Sequence, residues 1–256
     1  PSPQVEALLN DLFQEAEEGD WEAVAEALRR ALQDHPGDPY ILSWLGMAER
    51  EMGLEGVAAE RFREALAQEP RDPVLLATAG NALAAFDDPA AEAALRTAAL
   101  IAPDLPQARW MYGAWLAREG MIDDALAEFQ AAAELDPEDG LIRTEWGVTL
   151  ALGGRLEEAA AAFAMAVELD PEDSWAQVLL GLAYLESGDQ ESAARELEGA
   201  ARLRPGDLDA QLLASLALGA EGEEDRAFEM LERARLTADE AGEEVDLHLV
   251  VEVEEQ

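Results

Sequence analysis

Between Pro106 and Asp139 the chain carries two apolar stripes separated by a break. Trp110, Gly113 and Leu116 recur at helical spacing, and Gly120 interrupts the pattern. Ala125, Phe129 and Ala132 then recur until Asp136 and Pro137 end it. Apolar positions three and four residues apart predict two short helices, each with one buried stripe. The small residues Gly113, Ala125 and Ala132 let the two backbones approach closely. A lone helical hairpin of this kind cannot bury its second face and needs a neighbour on each side.

Those neighbours are in the sequence. Equivalent units begin at Val5, Pro39, Pro73, Pro106, Gly140, Ser174 and Leu208, in steps of 34 residues with one step of 33. A small residue recurs in the first helix: Gly46, Gly80, Gly113, Gly147, Gly181 and Ser215. An alanine opens the second: Ala58, Ala91, Ala125, Ala159, Ala193 and Ala227. Phe62, Leu95, Phe129, Phe163, Leu197 and Leu231 follow four residues later. Turn glycines and loop prolines keep the same phase, from Gly19 and Pro36 to Gly222 and Pro205. This pattern resembles the tetratricopeptide repeat (TPR) family in seven consecutive copies. The resemblance implies an all-α, right-handed TPR superhelix of seven antiparallel helix pairs. It also implies a non-enzymatic scaffold that binds a peptide or protein segment in a concave groove lined by the first helices.

The expected organisation is a lead-in at 1–4, the array at 5–241 and a tail at 242–256. Three places depart from the pattern. The first copy has Asp11 and Leu12 where the others carry a core and a small residue, as suits an end cap. The third has a glycine-free turn, Phe86-Asp87-Asp88-Pro89, and is one residue short, so a tighter or reoriented turn is expected there. After Gly242, Val245, Leu247, Leu249, Val251 and Val253 recur every second residue. That period predicts a strand, which needs a partner to be stable. An alternative function follows: self-assembly into a homo-oligomer through the 245–253 strand or an end repeat.

Composition narrows the partners. There are 57 acids against 17 bases, for a formal net charge of −40, and the chain has no lysine and no cysteine. Nucleic acid and anionic membrane are disfavoured, because phosphate binding needs a basic footprint. Salt adaptation, solubility or attraction of a basic partner would each account for the acidity. Missing cysteine removes disulfides and thiol chemistry. No apolar run approaches the ~20 residues of a membrane span. The cytoplasm is the expected location.

No catalytic constellation stands out, and no cofactor or metal is expected. His35 and His248 lie at opposite ends of the chain, and Asp136-Pro137-Glu138-Asp139-Gly140 lacks the spaced acids of a calcium loop. The missing lysines also argue against a chaperone-tail carboxylate clamp. The groove implied by the resemblance would be lined by Tyr40, Met47, Arg50, Asn81, Trp110, Arg118, Trp175 and Leu182. The register adds Ser43, Val74, Ala77, Gln107, Ala114, Leu141, Thr144, Val148 and Val178 nearby. Aromatics with arginine are the usual hot spots of an interface.

Overall fold

The computed structural model describes residues 1–241, and the strand expected at 245–253 lies outside them. Fourteen helices and no strand occur among the described residues. They form two compact units, divided after Leu135.

The first unit holds α1 (Pro3–Glu17), α2 (Trp21–Asp34), α3 (Pro39–Glu51), α4 (Glu55–Leu66), α5 (Pro73–Ala84), α6 (Ala90–Ile101), α7 (Pro106–Arg118) and α8 (Ile122–Leu135). The second holds α9 (Gly140–Leu152), α10 (Leu156–Leu169), α11 (Ser174–Ser187), α12 (Gln190–Leu203), α13 (Leu208–Glu221) and α14 (Glu224–Ala241). Odd-numbered helices are the first, and even-numbered the second, members of hairpin pairs. In the first unit successive first helices touch, α1 with α3, α3 with α5 and α5 with α7, and in the second unit α9 touches α11.

Local chemistry sets the boundaries. Asp38, Asp72, Asp139 and Asp173 each accept backbone N–H groups two and three residues on, at the head of α3, α5, α9 and α11. Those donors have no partner inside the helix, so the carboxylates satisfy otherwise orphaned groups and complement the helix dipole. Asp139, part of the acidic loop noted above, is engaged in this way. Pro39, Pro73 and Pro106 occupy the first turn, where a missing N–H costs nothing.

The glycine-free turn of the third pair is not reoriented. Asp87 takes the left-handed φ of +51° that glycines take in the other turns. Its N–H reaches the Ala84 carbonyl and that of Asp88 reaches Leu83, the same spacing that Gly53 and Leu54 use toward Arg50 and Glu49. The missing residue comes instead from the first turn of α6. Ala91 N–H bonds three residues back to Asp88, whereas Ala58 bonds four back to Leu54. A tightened first turn absorbs the deletion. The Asp88 carboxylate caps Ala90 and takes Arg63, and that arginine bond holds its carboxyl below the usual range.

Packing within pairs rests on the small residue of the first helix. A Cβ at position 147 would lie 2.5 Å from the Phe163 ring, and one at 181 would lie 2.5 Å from Leu197 Cγ. Phe62, Leu95, Phe129 and Leu197 are fully buried against these close approaches. Copy seven has Ser215, whose hydroxyl donates to the Ala227 carbonyl at 2.9 Å.

Between pairs, a side-chain latch recurs. Arg109 Nε donates to the Pro103 carbonyl at 3.1 Å, and Gln177 Nε2 to the Pro171 carbonyl at 3.2 Å. Gln211 does the same to Pro205. Each residue is fourth in its first helix and holds the loop six residues earlier. Arg143, at the same place in α9, lies over the Trp146 ring at 5.6 Å. One first helix buries a charge: Glu49 is 1% exposed and takes Arg29 at 2.8 Å and Arg61 at 3.5 Å. Other first helices put Leu83, Leu116, Leu150 and Leu218 there.

Candidate functional site

In an α-helix, residues i, i+7 and i+11 fall within about 40° of one another. The second, ninth and thirteenth residues of each first helix therefore form one stripe. In the first unit these are Tyr40, Met47 and Glu51 on α3, and Val74 and Asn81 on α5 with Ala85 just past its end. On α7 they are Gln107, Ala114 and Arg118. The surface they make is mixed, with amides among small and apolar groups.

Several of these side chains are already engaged. Tyr40 is half-buried between two core clusters, and its hydroxyl donates to Asp72 Oδ2 at 3.3 Å. Burial, with the neighbouring Asp72 carboxylate, pushes its phenol up from the ordinary tyrosine value. Met47 and Trp110 are half-buried and pack on the core around Leu83 and Leu95. Arg118 reaches back to donate to the Ala84 carbonyl and sits 3.8 Å from Asp87. It thus closes the C-terminus of α5, where no glycine is available. Arg50 is exposed and lies 3.5 Å from Glu51. Asn81 is half-buried, and its side-chain amide makes no hydrogen bond within the described residues.

In the second unit the stripe has a different character. Helix α9 presents Leu141, Val148 and Leu152; α11 presents Trp175, Leu182 and Glu186; α13 presents Asp209, Leu216 and Ala220. Trp175 is 58% exposed, Leu141 50% and Leu152 65%, while Leu182 is half-buried on the core around Leu197 and Leu218. Seven of these nine positions are apolar, two are acidic and none is basic. Arg143 is the one arginine on α9, α11 or α13, and it is engaged by Trp146. Arg155, Arg195, Arg202, Arg226, Arg233 and Arg235 each pair with a glutamate.

The fifth residue of each first helix, placed in the groove by sequence register, turns inward instead. Ser43, Ala77, Thr144 and Val178 are all buried. Thr144 donates its hydroxyl to the Gly140 carbonyl at 3.1 Å. Position five lies about 60° round from position two, on the side that meets the adjoining pair. Only a large residue such as Trp110 keeps part of itself outside. Conversely, Leu152 and Leu216 belong to the exposed stripe; counting eleven and seven residues on from the second position would have found them. Among the described residues no group of three or more histidines or acids is arranged to hold a metal. No helix among them is long and apolar enough to cross a membrane.

Comparison with curated proteins finds no match. Among solved structures, a tetratricopeptide repeat protein from Parabacteroides merdae ATCC 43184 is 17% identical, with a TM-score of 0.66 over 97% of this chain and 96% of that one. A thermophilic TPR protein of Thermus thermophilus is 21% identical, with a TM-score of 0.60 over 70% and 98%. YrrB, described as a TPR protein with an unusual peptide-binding site, is 22% identical, with a TM-score of 0.55 over 70% and 93%. At such identities the likeness is one of fold. Tetratricopeptide repeat family models match residues 15–73, 116–174 and 176–207. The helix pairs, their common phase and these matches agree: the chain belongs to the tetratricopeptide repeat family, whose members generally mediate protein–protein interactions.

Proposed function

We propose that the protein is a non-enzymatic interaction scaffold that holds a peptide or protein segment against the exposed stripes of its first helices. The observation carrying this reading is Trp175, 58% exposed on a stripe whose other members include Leu141 and Leu182, in a chain of net charge −40. A large aromatic left open among apolar neighbours, where acids could have covered the surface, is what an interface anchor requires. In the first unit, Met47, Trp110 and Tyr40 would offer apolar edges and the free Asn81 amide a polar contact. Arg50 would meet acidic or polar groups from the rim, whereas Arg118 is held by the Ala84 carbonyl. The peptide-binding description of YrrB, which shares the fold, is in keeping with this reading.

The test is selection of a displayed random peptide library on the immobilised chain, followed by affinity measurement on variants. Replacing a hot-spot tryptophan costs about 2 kcal/mol, or roughly 30-fold. Selected peptides should lose about that much on Trp175→Ala, or on Trp110→Ala with Asn81→Ala. Peptides that bind all these variants as well as the native chain would refute the reading.

A further inference from the structure

We propose that the stripe on α9 and α11 takes an amphipathic helix whose apolar face is bordered by lysine or arginine. This rests on the reading of the first helices as the binding surface and deepens it for the second unit. The argument begins with what this surface lacks. An extended peptide brings unpaired backbone N–H and C=O groups, and these lose free energy when they leave water without new partners. Asn81 and Gln107 could supply such partners in the first unit. On α9 and α11 the stripe offers Leu141, Val148, Leu152, Trp175 and Leu182, and no amide or hydroxyl among them. A helix arrives with its backbone already bonded internally and needs only apolar contacts, supplied at i, i+3, i+4 and i+7.

Charge gives the second half. Glu186, exposed on α11, belongs to the same stripe as Trp175 and Leu182 and forms no ion pair within the described residues. Arg143, the one arginine on α9, α11 or α13, lies over the Trp146 ring and forms no ion pair within the described residues. In a chain of net charge −40 a ligand flanked by acids would meet like charge, and one flanked by bases would meet the unpaired Glu186 carboxylate. The same field raises the encounter rate of a cationic segment.

The test uses a synthetic peptide of about 18 residues, roughly five turns, with leucines at i, i+3, i+4 and i+7 and lysines along their border. Two controls keep the same leucines: one has a central proline that breaks the helix, and one replaces every lysine by glutamate. Fluorescence anisotropy of each labelled peptide is followed against the whole chain. The lysine helix should bind, with the proline and glutamate forms at least ~10-fold weaker. Trp175→Ala and Leu152→Gln should each weaken the lysine helix by a similar factor, and Leu100→Gln, at a 73% exposed position on the second helix α6 and outside the stripes, should leave it unchanged. Equal binding of the proline or glutamate form, no binding of the lysine helix, or indifference to Trp175→Ala would overturn the inference. So would a sedimenting dimer of the chain that Trp175→Ala dissociates, because the occupant would then be a second copy. Library-selected peptides that are extended yet still need Trp175 would sink this inference while leaving the proposed function standing. Selected peptides indifferent to every stripe variant would sink the proposed function itself.

Discussion

Replacing Gly147 by alanine sets two known effects against each other. Alanine in a helix interior is favoured over glycine by about 1 kcal/mol, through lower backbone entropy in the unfolded chain. Against this, the new Cβ would lie 2.5 Å from Phe163 Cε1, 2.6 Å from Cδ1 and 3.0 Å from Cζ. Carbon atoms rest at about 3.5–4.0 Å, so the ring must retreat by roughly 1 Å. Phe163 is 2% exposed and has nowhere to go without moving α10. Overpacking a tight core costs about 1–3 kcal/mol, and an overlap this deep belongs at the upper end. Gly147→Ala should therefore destabilise by about 1–2 kcal/mol net. Gly56 provides the opposite sign, because a Cβ there meets nothing within 4 Å. Gly56→Ala should stabilise by about 0.5 kcal/mol. Urea denaturation followed by far-ultraviolet circular dichroism reads both as shifts of the midpoint. Hydrogen exchange of α9 and α10 amides should show the loss concentrated in that pair. A Gly147→Ala chain as stable as the native one, with Gly56→Ala behaving as stated, would refute the close-approach argument.

Other outcomes follow from single sites. Burial pushes the Glu145 carboxyl above the ordinary glutamate value, so its ionised form costs stability above that value. The penalty is absent below the unfolded pKa and complete above the raised folded one. Glu145→Gln should therefore raise the melting temperature at pH 7, and the gap should close as the pH falls toward the ordinary value of 4.5. Glu49→Leu, which installs the residue other pairs use, should be neutral or stabilising by about 1–2 kcal/mol. Arg29→Ala with Arg61→Ala, which strands the buried carboxylate, should destabilise in the same thermal assay. With a net charge of −40, the melting temperature should rise between low salt and ~1 M sodium chloride, where screening acts over ~3 Å. A flat salt response would show that self-repulsion is unimportant.

The helix pairs were legible because their signals are local and repeated. Asp38, Asp72, Asp139 and Asp173 cap where the aspartate before Pro39, Pro73, Gly140 and Ser174 opens each repeat, and Gly46, Gly80, Gly147 and Gly181 meet the partner four residues past each alanine. What failed to show in sequence depends on contacts between pairs. Ser43 and Thr144 are polar by type but buried by the adjoining pair, a fact about neighbours rather than about residue chemistry. Arg118 reads as a free rim cation until the Ala84 carbonyl, 34 residues earlier, is seen to lie within its reach. The short third copy misled because the residue count cannot say which element lost the residue. The turn kept its hydrogen bonds, and α6 gave up part of its first turn.

The latches made by Arg109, Gln177 and Gln211 bear on how such an array can be cut and rejoined. Each reaches backwards, so a helix pair owns the loop in front of it rather than the one behind. A graft or deletion whose seam falls between Pro171 and Gln177 would sever a carbonyl from its donor, whereas a seam just ahead of the proline would carry both together. The transferable block in this chain therefore starts with a loop and finishes with a helix.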